Sequence, residues 1–370
     1  MAALAGAGVL LATSPVGGGA QGVGRRGRDP VRVCVGGDVT LGTNLDTTWA
    51  TKAARHSHRR VVALPDPMRL VAPLRPLFRD ADVALVNVEG AIGEGPAPSK
   101  CPSGKKGCFA LRQPPGAAQA IRSIAGDGEV VGNLANNHAR DAGIEGLAQT
   151  ESLLVAASVH VTGTDTLATT VATPRGDTVA FLGFSAGSIL DARDLDAVRR
   201  HVARAAARYP RLVVTMHLGA EGRAAQRTRD TMELYLAEKR GNPVAFAHAA
   251  VAAGARLVVG HGPHVVRGVE WRDGALIAYS LGNLVTYGPF SLRPPLDRGG
   301  ILCASIDDSG RVDGAVLRPT RQWPPGFVAA DRRARAVTLA DSLSRLDFPG
   351  SAATFVPEAA VGRPRARRQR

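Results

Sequence analysis

Lysine is scarce in this sequence: only five of its 46 basic residues are Lys, so the others are Arg. The formal net charge is +14, and much of the excess lies in three Arg-rich segments, at residues 25–28, 55–60 and 363–370. Basic residues near chain ends are typical of solvated tails or of contacts with anionic surfaces, and they do not form a face that reads bases. This distribution argues against specific nucleic-acid binding and favours attraction to an anionic polymer or to the cell envelope.

Long apolar segments are also lacking. After residue 21, nothing approaches the ~18 unbroken apolar residues of a membrane-spanning helix, so we expect no transmembrane span in the mature body. Residues 1–21 are apolar and rich in small residues, like the core and cleavage region of a secretory signal, although no Lys or Arg precedes them. We therefore expect an exported protein of the cell envelope or extracellular space. A cytoplasmic location is the alternative if this start is not a signal.

The four cysteines form no C-x₂-C pair, which argues against a thiolate zinc site. Cys101 and Cys108 enclose a short polar loop, and in an exported protein this spacing predicts a disulfide, with a zinc pair as the alternative. Cys34 and Cys303 lie inside apolar strand-like segments, so we interpret them as small buried hydrophobic residues.

Strand-like and helical patterns alternate along the chain, which predicts an α/β protein. We find no internal repeat and no linker between residues 31 and 321, so the sequence predicts one domain there. A signal-like start with a basic linker precedes it at residues 1–30. Residues 322–370 are interpreted as a peripheral, disordered Arg-rich tail. Among the helices, the pattern predicts one over residues 144–157 and another over residues 228–239.

Polar side chains that can bind metal stand at the ends of five apolar strands. They are Asp38, Glu89, Asn137 with His138, His217, and His261 with His264. Strand ends from distant parts of a chain can meet at one edge of a sheet, and this mixture of donors suits Mn, Zn, Fe or Mg. The sequence therefore predicts a centre for one or two divalent metal ions. Taken singly, each residue also fits a structural role, such as a capping Asp or a hydrogen-bonded core His.

These residues lie in motifs that resemble the CapA family of capsule or poly-γ-glutamate synthesis proteins. In chain order the motifs are Gly-Gly-Asp38, Asn87-Val-Glu89, Leu-Ala-Asn136-Asn137-His138-x-x-Asp141-x-Gly143, His217-x-Gly219-x-Glu221, Gly260-His261-x-Pro263-His264 and Tyr279-Ser-Leu-Gly-Asn283. The resemblance covers residues 31–305. It implies a calcineurin-like metallophosphatase fold, in which a β-sandwich of mixed sheets is flanked by helices and carries two metals at the strand ends.

The resemblance also implies a role for each residue. The implied metal ligands are Asp38, Glu89, Asn137, His217, His261 and His264, with Asp38 and His264 on one metal, Glu89 bridging and the others on the second. His138 would be the general acid or a transition-state contact, with Asp141 as its supporting partner. Asn136, Glu221 and Asn283 would support the ligands, and Glu221 is also a candidate ligand. Thr40 stands where the superfamily usually has His, and Glu89 where it has Asp, so a one-metal centre is an alternative.

The resemblance implies a metal-dependent hydrolase or transferase that acts at a phosphoryl or acyl centre. Its substrate would be an anionic envelope polymer such as poly-γ-glutamate, or a peptide or phosphoester, and envelope assembly proteins are the expected partners. Two other functions remain open. One is a non-catalytic polymer-binding or export accessory with a vestigial metal site, and the other is a metal-dependent peptide epimerase on the same scaffold.

Overall fold

The structure, a computed structural model, describes residues 29–58, 60–97, 100–101 and 108–355. The signal-like segment at residues 1–21 and the Arg-rich end at residues 363–370 lie outside these ranges. The strands are β1 Val31–Leu41, β2 Val83–Val88, β3 Ala91–Ile92, β4 Arg112–Gln113, β5 Glu129–Asn133, β6 His160–Thr162, β7 Thr169–Ala172, β8 Thr178–Ser185, β9 Leu212–His217, β10 Glu233–Tyr235, β11 Glu238–Gly241, β12 Leu257–His261, β13 Val269–Arg272, β14 Ala275–Ala278, β15 Asn283–Tyr287, β16 Arg298–Ile306, β17 Val312–Trp323 and β18 Phe327–Ala330. The α-helices are α1 Thr48–Ser57, α2 Pro67–Val71, α3 Arg75–Phe78, α4 Ala117–Arg122, α5 Gly143–Ala156, α6 Leu195–Ala206, α7 Pro243–Ala252 and α8 Arg335–Asp347, with short 3₁₀ turns at Ala72–Leu74 and Ser123–Ala125.

Two mixed sheets form the body of the protein. The larger sheet has the order β18-β17-β16-β1-β2-β5-β6, and β15 also pairs with β1. In it, β1 runs parallel to β2 and β15 and antiparallel to β16. The smaller sheet has the order β13-β14-β12-β9-β8-β7, in which β8, β9, β12 and β14 are parallel and the two edge strands are antiparallel.

The alternation of side chains along the strands explains how the sheets pack. In β1, Val33 and Val35 join a core that also contains Val213 and Val259 of the smaller sheet. Cys34, between those two valines, faces the opposite side, because successive side chains of a strand point to opposite faces. That outer face is covered by α2, α3 and α4, and the outer face of the smaller sheet is covered by α6 and α7. The predicted α/β sandwich of mixed sheets flanked by helices is therefore confirmed.

The interpretation of Cys34 and Cys303 as free buried residues is wrong. The two are register partners on the antiparallel strands β1 and β16, and a disulfide joins them. Both are fully buried, as predicted, but 269 positions of sequence separate them. Sequence spacing alone could not show that they meet. A second disulfide joins Cys101 to Cys108.

Two predicted segments differ from the structure. Residues 228–239 do not form a helix, since β10 and β11 make an antiparallel hairpin there. Residues 322–355 do not form a peripheral tail, because β17 ends at Trp323, β18 pairs with it, and Val337 and Ala340 of α8 lie in the core between the sheets. Within the described residues, no helix combines the length and the apolar character needed to cross a membrane.

Candidate metal centre

Asp38 lies at an irregularity in β1. The pairing of β1 with β2 is interrupted between Val35 and Asp38, and the strand continues to Leu41 instead of ending at Asp38 as the sequence suggested. The preceding Gly37 is required by a close approach of backbones, because a Cβ there would lie 1.8 Å from the carbonyl oxygen of Gly282. This approach places Asp38 opposite Asn283 of β15.

The neighbouring strands of the larger sheet add a carboxylate and a row of amides. Glu89 follows the last residue of β2 and is fully buried. Asn87 Nδ2 donates to Asp38 Oδ1 at 2.9 Å, while Asn87 Oδ1 accepts from Asn133 Nδ2 at 2.9 Å and from Asn136 Nδ2 at 3.2 Å. The row of amides therefore fixes the Asp38 carboxylate from behind.

The smaller sheet contributes imidazoles. His217 and His261 are the last residues of β9 and β12, and they are register partners in adjacent parallel strands. His264 lies three residues beyond β12 with a φ of 58°, a conformation that costs a non-glycine residue roughly 1–3 kcal/mol. Such strain is typically retained at functional sites. Gly262 lets this turn pass close to His217, since a Cβ there would lie 3.0 Å from its ring.

These side chains converge on one point. Ligand atoms of Asp38, Glu89 and His264 all lie within 4.8 Å of one another. His217 Nε2 is 3.8 Å and His264 Nε2 is 3.7 Å from Glu89 Oε1, and His261 Nδ1 is 3.6 Å from Asp38 Oδ1. Two ligand atoms that each lie ~2.0–2.2 Å from one cation are only slightly closer to each other than these pairs of atoms are. Of the predicted ligands, all but Asn137 are thus within reach of another.

The buried polar atoms without a hydrogen-bond partner test whether a cation fits here. In the described part of the chain, these atoms include both carboxylate oxygens of Glu89, Nε2 of His217, both ring nitrogens of His261 and Oδ1 of Asn137. A buried carboxylate or imidazole without a partner is costly, and a bound cation satisfies such atoms. Carboxylate, imidazole and amide oxygen are also the donors that Mn, Zn, Fe or Mg take. The residues therefore fit a divalent metal.

The electrostatics of the cluster are those of a site built for positive charge. Burial and the nearby Asp38 carboxylate raise the pKa of Glu89 well above its usual value. Burial raises the pKa of Asp38, but the hydrogen bond from His264 and the positive charge of that ring, with smaller effects of His261 and His217, outweigh burial and lower the pKa to about 2. Burial lowers the pKa of His264, but the carboxylates of Glu89, Asp38 and Glu221 raise it to about 10.

The other two imidazoles are held neutral. Burial lowers the pKa of His261 to about 4 and that of His217 well below its usual value. A neutral imidazole has a lone pair available for a metal, so both residues are ready to act as ligands without first losing a proton.

His138 and Asp141 form a dyad beside the cluster. His138 Nδ1 is 2.7 Å from Asp141 Oδ2, and the same oxygen accepts from the backbone N–H of Leu111 at 2.8 Å. Lys100, next to the Cys101–Cys108 disulfide, forms an ion pair with the other oxygen of Asp141 and donates to Asn137 O at 3.2 Å. Asp141 is therefore a fully engaged, buried anion that fixes the orientation of the His138 ring.

A cavity of about 200 Å³ opens over the cluster. We call it the centre cavity. Its polar floor is formed by His138, Glu221, His264 and Asn283, and its remaining lining is Phe109, Leu111, Gly222, Tyr235, Pro289, Phe290, Ser291 and Leu296. His138 and His264 of the cluster thus face the same space.

The supporting residues named from the sequence have distinct positions. Asn283 Oδ1 lies 2.9 Å from His264 Nδ1, and Glu221 lies 3.7 Å from His264 Nε2 and 2.9 Å from Arg240. Asn136 Nδ2 donates to Val88 O at 2.9 Å, so it links the loop after β5 to the end of β2. The hydroxyl of Thr40 is engaged with the backbone, since it donates a hydrogen bond to the backbone oxygen of Glu89 at 2.7 Å.

Sequence reasoning missed several residues of the site. Asn133 and the bracing role of Asn87 were not predicted, although an amide at the end of an apolar strand was a signal for both. Lys100 and the aromatic walls of the centre cavity come from loops and from the β10–β11 hairpin, where no local pattern marks them. The metal-ligand roles themselves stay predictions.

Fold and site together define an α/β sandwich protein with a cluster of potential metal ligands at one sheet edge. The family described as bacterial capsule synthesis protein PGA_cap matches residues 32–287, a range that holds every residue of the cluster. The chain therefore belongs to the bacterial capsule synthesis protein family. None of the curated proteins matches it.

Among solved structures, the chain is similar to a 5'-nucleotidase precursor from Thermus thermophilus, with 13% identity, a TM-score of 0.37, and coverage of 81% of this chain and 54% of that one. The chain thus spans about half the length of that nucleotidase. It is also similar to the protein TT1561 of Thermus thermophilus, with 9% identity, a TM-score of 0.36, and coverage of 78% of this chain and 98% of that one. Overlap at this level says nothing about the chemistry of the site.

Proposed function

We propose that this capsule synthesis family protein is a metal-dependent hydrolase or transferase that acts on an anionic envelope polymer or its precursor. One observation supports this most directly. The unpartnered, buried carboxylate of Glu89 stands among His217, His261 and His264, and His264 lines the same cavity as His138. A centre that only stabilised the fold would not need a proton-transfer group facing the same space.

The cation would be held by Asp38, Glu89, His217, His261 and His264, with Asn137 as a further ligand. When bound, a divalent metal lowers the pKa of water and offsets negative charge that develops on oxygen. Mn, Zn, Fe and Mg all suit these donors. With Thr40 where a further imidazole would stand, one or two ions are compatible with the cluster.

His138 would move the proton at the leaving group. Asp141 binds its Nδ1, which leaves Nε2 to donate to an oxygen or nitrogen in the centre cavity. Asp141 holds the ring and stabilises its protonated form, while Lys100 balances the charge of Asp141. The row of amides from Asn87 to Asn136 keeps Asp38 in place during the reaction.

We further propose that the protein works outside the cytoplasm, at the envelope. Two disulfides support this, because disulfides persist in oxidising compartments. The signal-like start and the Arg-rich segments of the sequence agree with export and with attraction to a polyanion. Envelope assembly proteins are the partners that this location suggests.

The test combines metal analysis with turnover. We expect purified protein to retain a divalent transition metal and, with Mn²⁺ added, to cleave a generic aryl phosphodiester or an activated amide. His264→Ala should lose metal. His138→Ala should keep metal but lose about 10²–10⁴-fold in rate, the usual contribution of a positioned acid.

His56→Ala is the matched control, since His56 is exposed in the last turn of α1 and should leave both readouts unchanged. Metal-free protein without turnover would contradict the enzymatic proposal and favour the non-catalytic accessory, for which Thr40 at a usual ligand position is the supporting observation. Unaltered turnover in His138→Ala with metal bound would refute the role of His138. Solvent isotope exchange at a substrate Cα would instead indicate an epimerase.

A further inference from the structure

The walls of the centre cavity are largely apolar, whereas its floor is polar. Phe109, Tyr235, Phe290 and Leu296 present aromatic and aliphatic surface around the opening. Phe290 lies against the floor, with its ring edge-to-face with His264 at a centroid distance of 5.6 Å. A group bound to the metal-binding cluster would therefore have its substituent in contact with these rings.

Lys and Arg are missing from the described residues that form this surface. Among the described residues that line the cavity there is neither Lys nor Arg, and the lining includes the carboxylate of Glu221. In the described part of the chain, two cations near the cavity are engaged by carboxylates, Lys100 with Asp141 and Arg240 with Glu221 at 2.9 Å and Glu238 at 3.2 Å. An anionic substituent that lies against the apolar walls would lose hydration without gaining a Lys or Arg of the described lining as a counter-ion, and this is costly.

The size of the cavity sets a further limit. A volume on the order of 150 Å³ holds a benzene-sized ring, and the centre cavity has about 200 Å³. It accommodates the reacting group together with a small ring or a short aliphatic chain. A longer polymer segment would have to continue outside the opening.

We infer that the centre cavity selects substrates whose reacting phosphoryl or acyl group carries a small apolar substituent, and that it discriminates against those with a second anion at that position. This inference rests on the proposed function. It assigns Phe109, Tyr235 and Phe290 as specificity-determining residues. The charged units of an envelope polymer would then lie outside the cavity, and the bond acted on would adjoin an apolar group.

Binding of two phosphonates to the Mn²⁺-loaded full chain tests this without requiring turnover. Phenylphosphonate and 2-carboxyethylphosphonate share the same anchoring group, which resembles both a phosphoryl group and a tetrahedral acyl intermediate. We expect calorimetry to show that phenylphosphonate binds about ten-fold more tightly or better, as burial of a ring should produce.

Variants separate the walls from the floor. Phe290→Ala should weaken phenylphosphonate about ten-fold while inorganic phosphate binds as before, and Phe290→Leu should restore most of the loss. Phe109→Lys, at a wall residue that is 47% exposed, should shift the preference toward 2-carboxyethylphosphonate. Phe327→Ala is the matched control, because Phe327 is 42% exposed on β18 and is not part of the cavity.

Equal or tighter binding of the carboxylate analogue to the wild type would overturn the inference. So would failure of phenylphosphonate to bind, or an equal loss of phosphate and phenylphosphonate in Phe290→Ala. These outcomes differ from failure of the proposed function, which is read from metal content and from turnover of any substrate. A protein that holds metal and turns over a charged substrate best would keep the function and lose this specificity.

Discussion

His264 is the residue through which the charges of the candidate metal centre are balanced in the absence of a metal. Its Nδ1 lies between Asp38 Oδ2 at 3.1 Å and Asn283 Oδ1 at 2.9 Å, while its Nε2 faces Glu89 and Glu221, both at 3.7 Å. In the metal-free protein the carboxylates hold a proton on this ring up to about pH 10. A proton on His264 therefore supplies part of the positive charge that a bound cation would bring to the cluster.

Metal affinity should therefore rise with pH. Because the pKa of His264 is raised to about 10 and that of Glu89 well above its usual value, both groups bind protons that a metal must displace. We expect Mn²⁺ affinity to increase from about pH 6 to about pH 8, by up to about ten-fold per pH unit for each proton displaced, with protons released on binding. Calorimetry in buffers of different ionisation enthalpy measures both quantities.

His264→Gln, which cannot hold the proton, should reduce this pH dependence even if it also weakens binding. The comparison is with His248→Gln. The imidazole of His248 lies outside the cluster and pairs with Glu270 at 3.1 Å. An affinity that stays constant across this range, with no proton release, would show that the cluster is already deprotonated before metal arrives.

For single residues, the sequence predicted most of the cluster, because each ligand candidate ends or follows an apolar strand. Asp38, Glu89, His217, His261 and His264 were named in this way, and the structure brings them together. The pairing of Lys100 with Asp141 could not be predicted. It joins residues from two loops, and only the fold determines that they meet.

Among the structural elements, the disulfide-closed loop has the most direct link to the dyad. Lys100 precedes Cys101, and Cys108 Sγ lies 3.8 Å from the carbonyl oxygen of Lys100. The disulfide thus restrains the backbone from which the Lys100 ammonium reaches Asp141. Orientation of His138 by Asp141 depends in turn on this ion pair.

Removing either part should lower turnover without removing metal. For Lys100→Gln, and for Cys101→Ser combined with Cys108→Ser, we expect a loss of roughly ten-fold in rate, the scale of effect when an outer partner of a site is lost. Lys239→Gln is the matched control, since Lys239 is exposed on β11. A loss of metal in Lys100→Gln, or no change in rate, would contradict this account.

The β10–β11 hairpin shows why one element escaped prediction. Residues 228–239 contain good helix formers such as Met, Glu, Leu and Ala, so their local preference favours a helix. Instead Leu236 and Ala237 adopt φ values of 48° and 66° in a tight turn that usually contains Asn-Gly. Glu233 accounts for the difference, because it binds the fully buried Arg267 through both carboxylate oxygens. Tertiary pairing here outweighs propensity.

For the whole molecule, residues 322–355 contribute to the sheet and to the core. The Arg-rich, Pro-rich composition led to the prediction of a tail. Instead, β18 extends the larger sheet, and Val337 and Ala340 of α8 pack in the core between the two sheets. The buried residues Val337, Ala340 and Leu343 of α8 follow helical spacing. The same spacing also fits a helix at the periphery, so the sequence alone did not distinguish the two.

Two leucines of α8 test this packing. Leu343 is 6% exposed and Leu346 is 57% exposed on the same helix. Leu343→Ala should lower the free energy of unfolding by about 2–4 kcal/mol, because a buried side chain is lost and a cavity remains. Leu346→Ala should change it by no more than about 0.5 kcal/mol. Urea denaturation measures both, and equal effects would mean that α8 is not anchored as described.

The depth of the candidate ligands has a consequence for how a cation would reach them. Asp38, Glu89, His217 and His261 are at most 2% exposed and lie behind the residues that line the centre cavity. An ion arriving after folding would have to pass the aromatic opening and shed its water on the way. We therefore expect an ion that arrives after folding to enter slowly, so that the metal supply of the compartment where folding ends determines which ion the protein holds first.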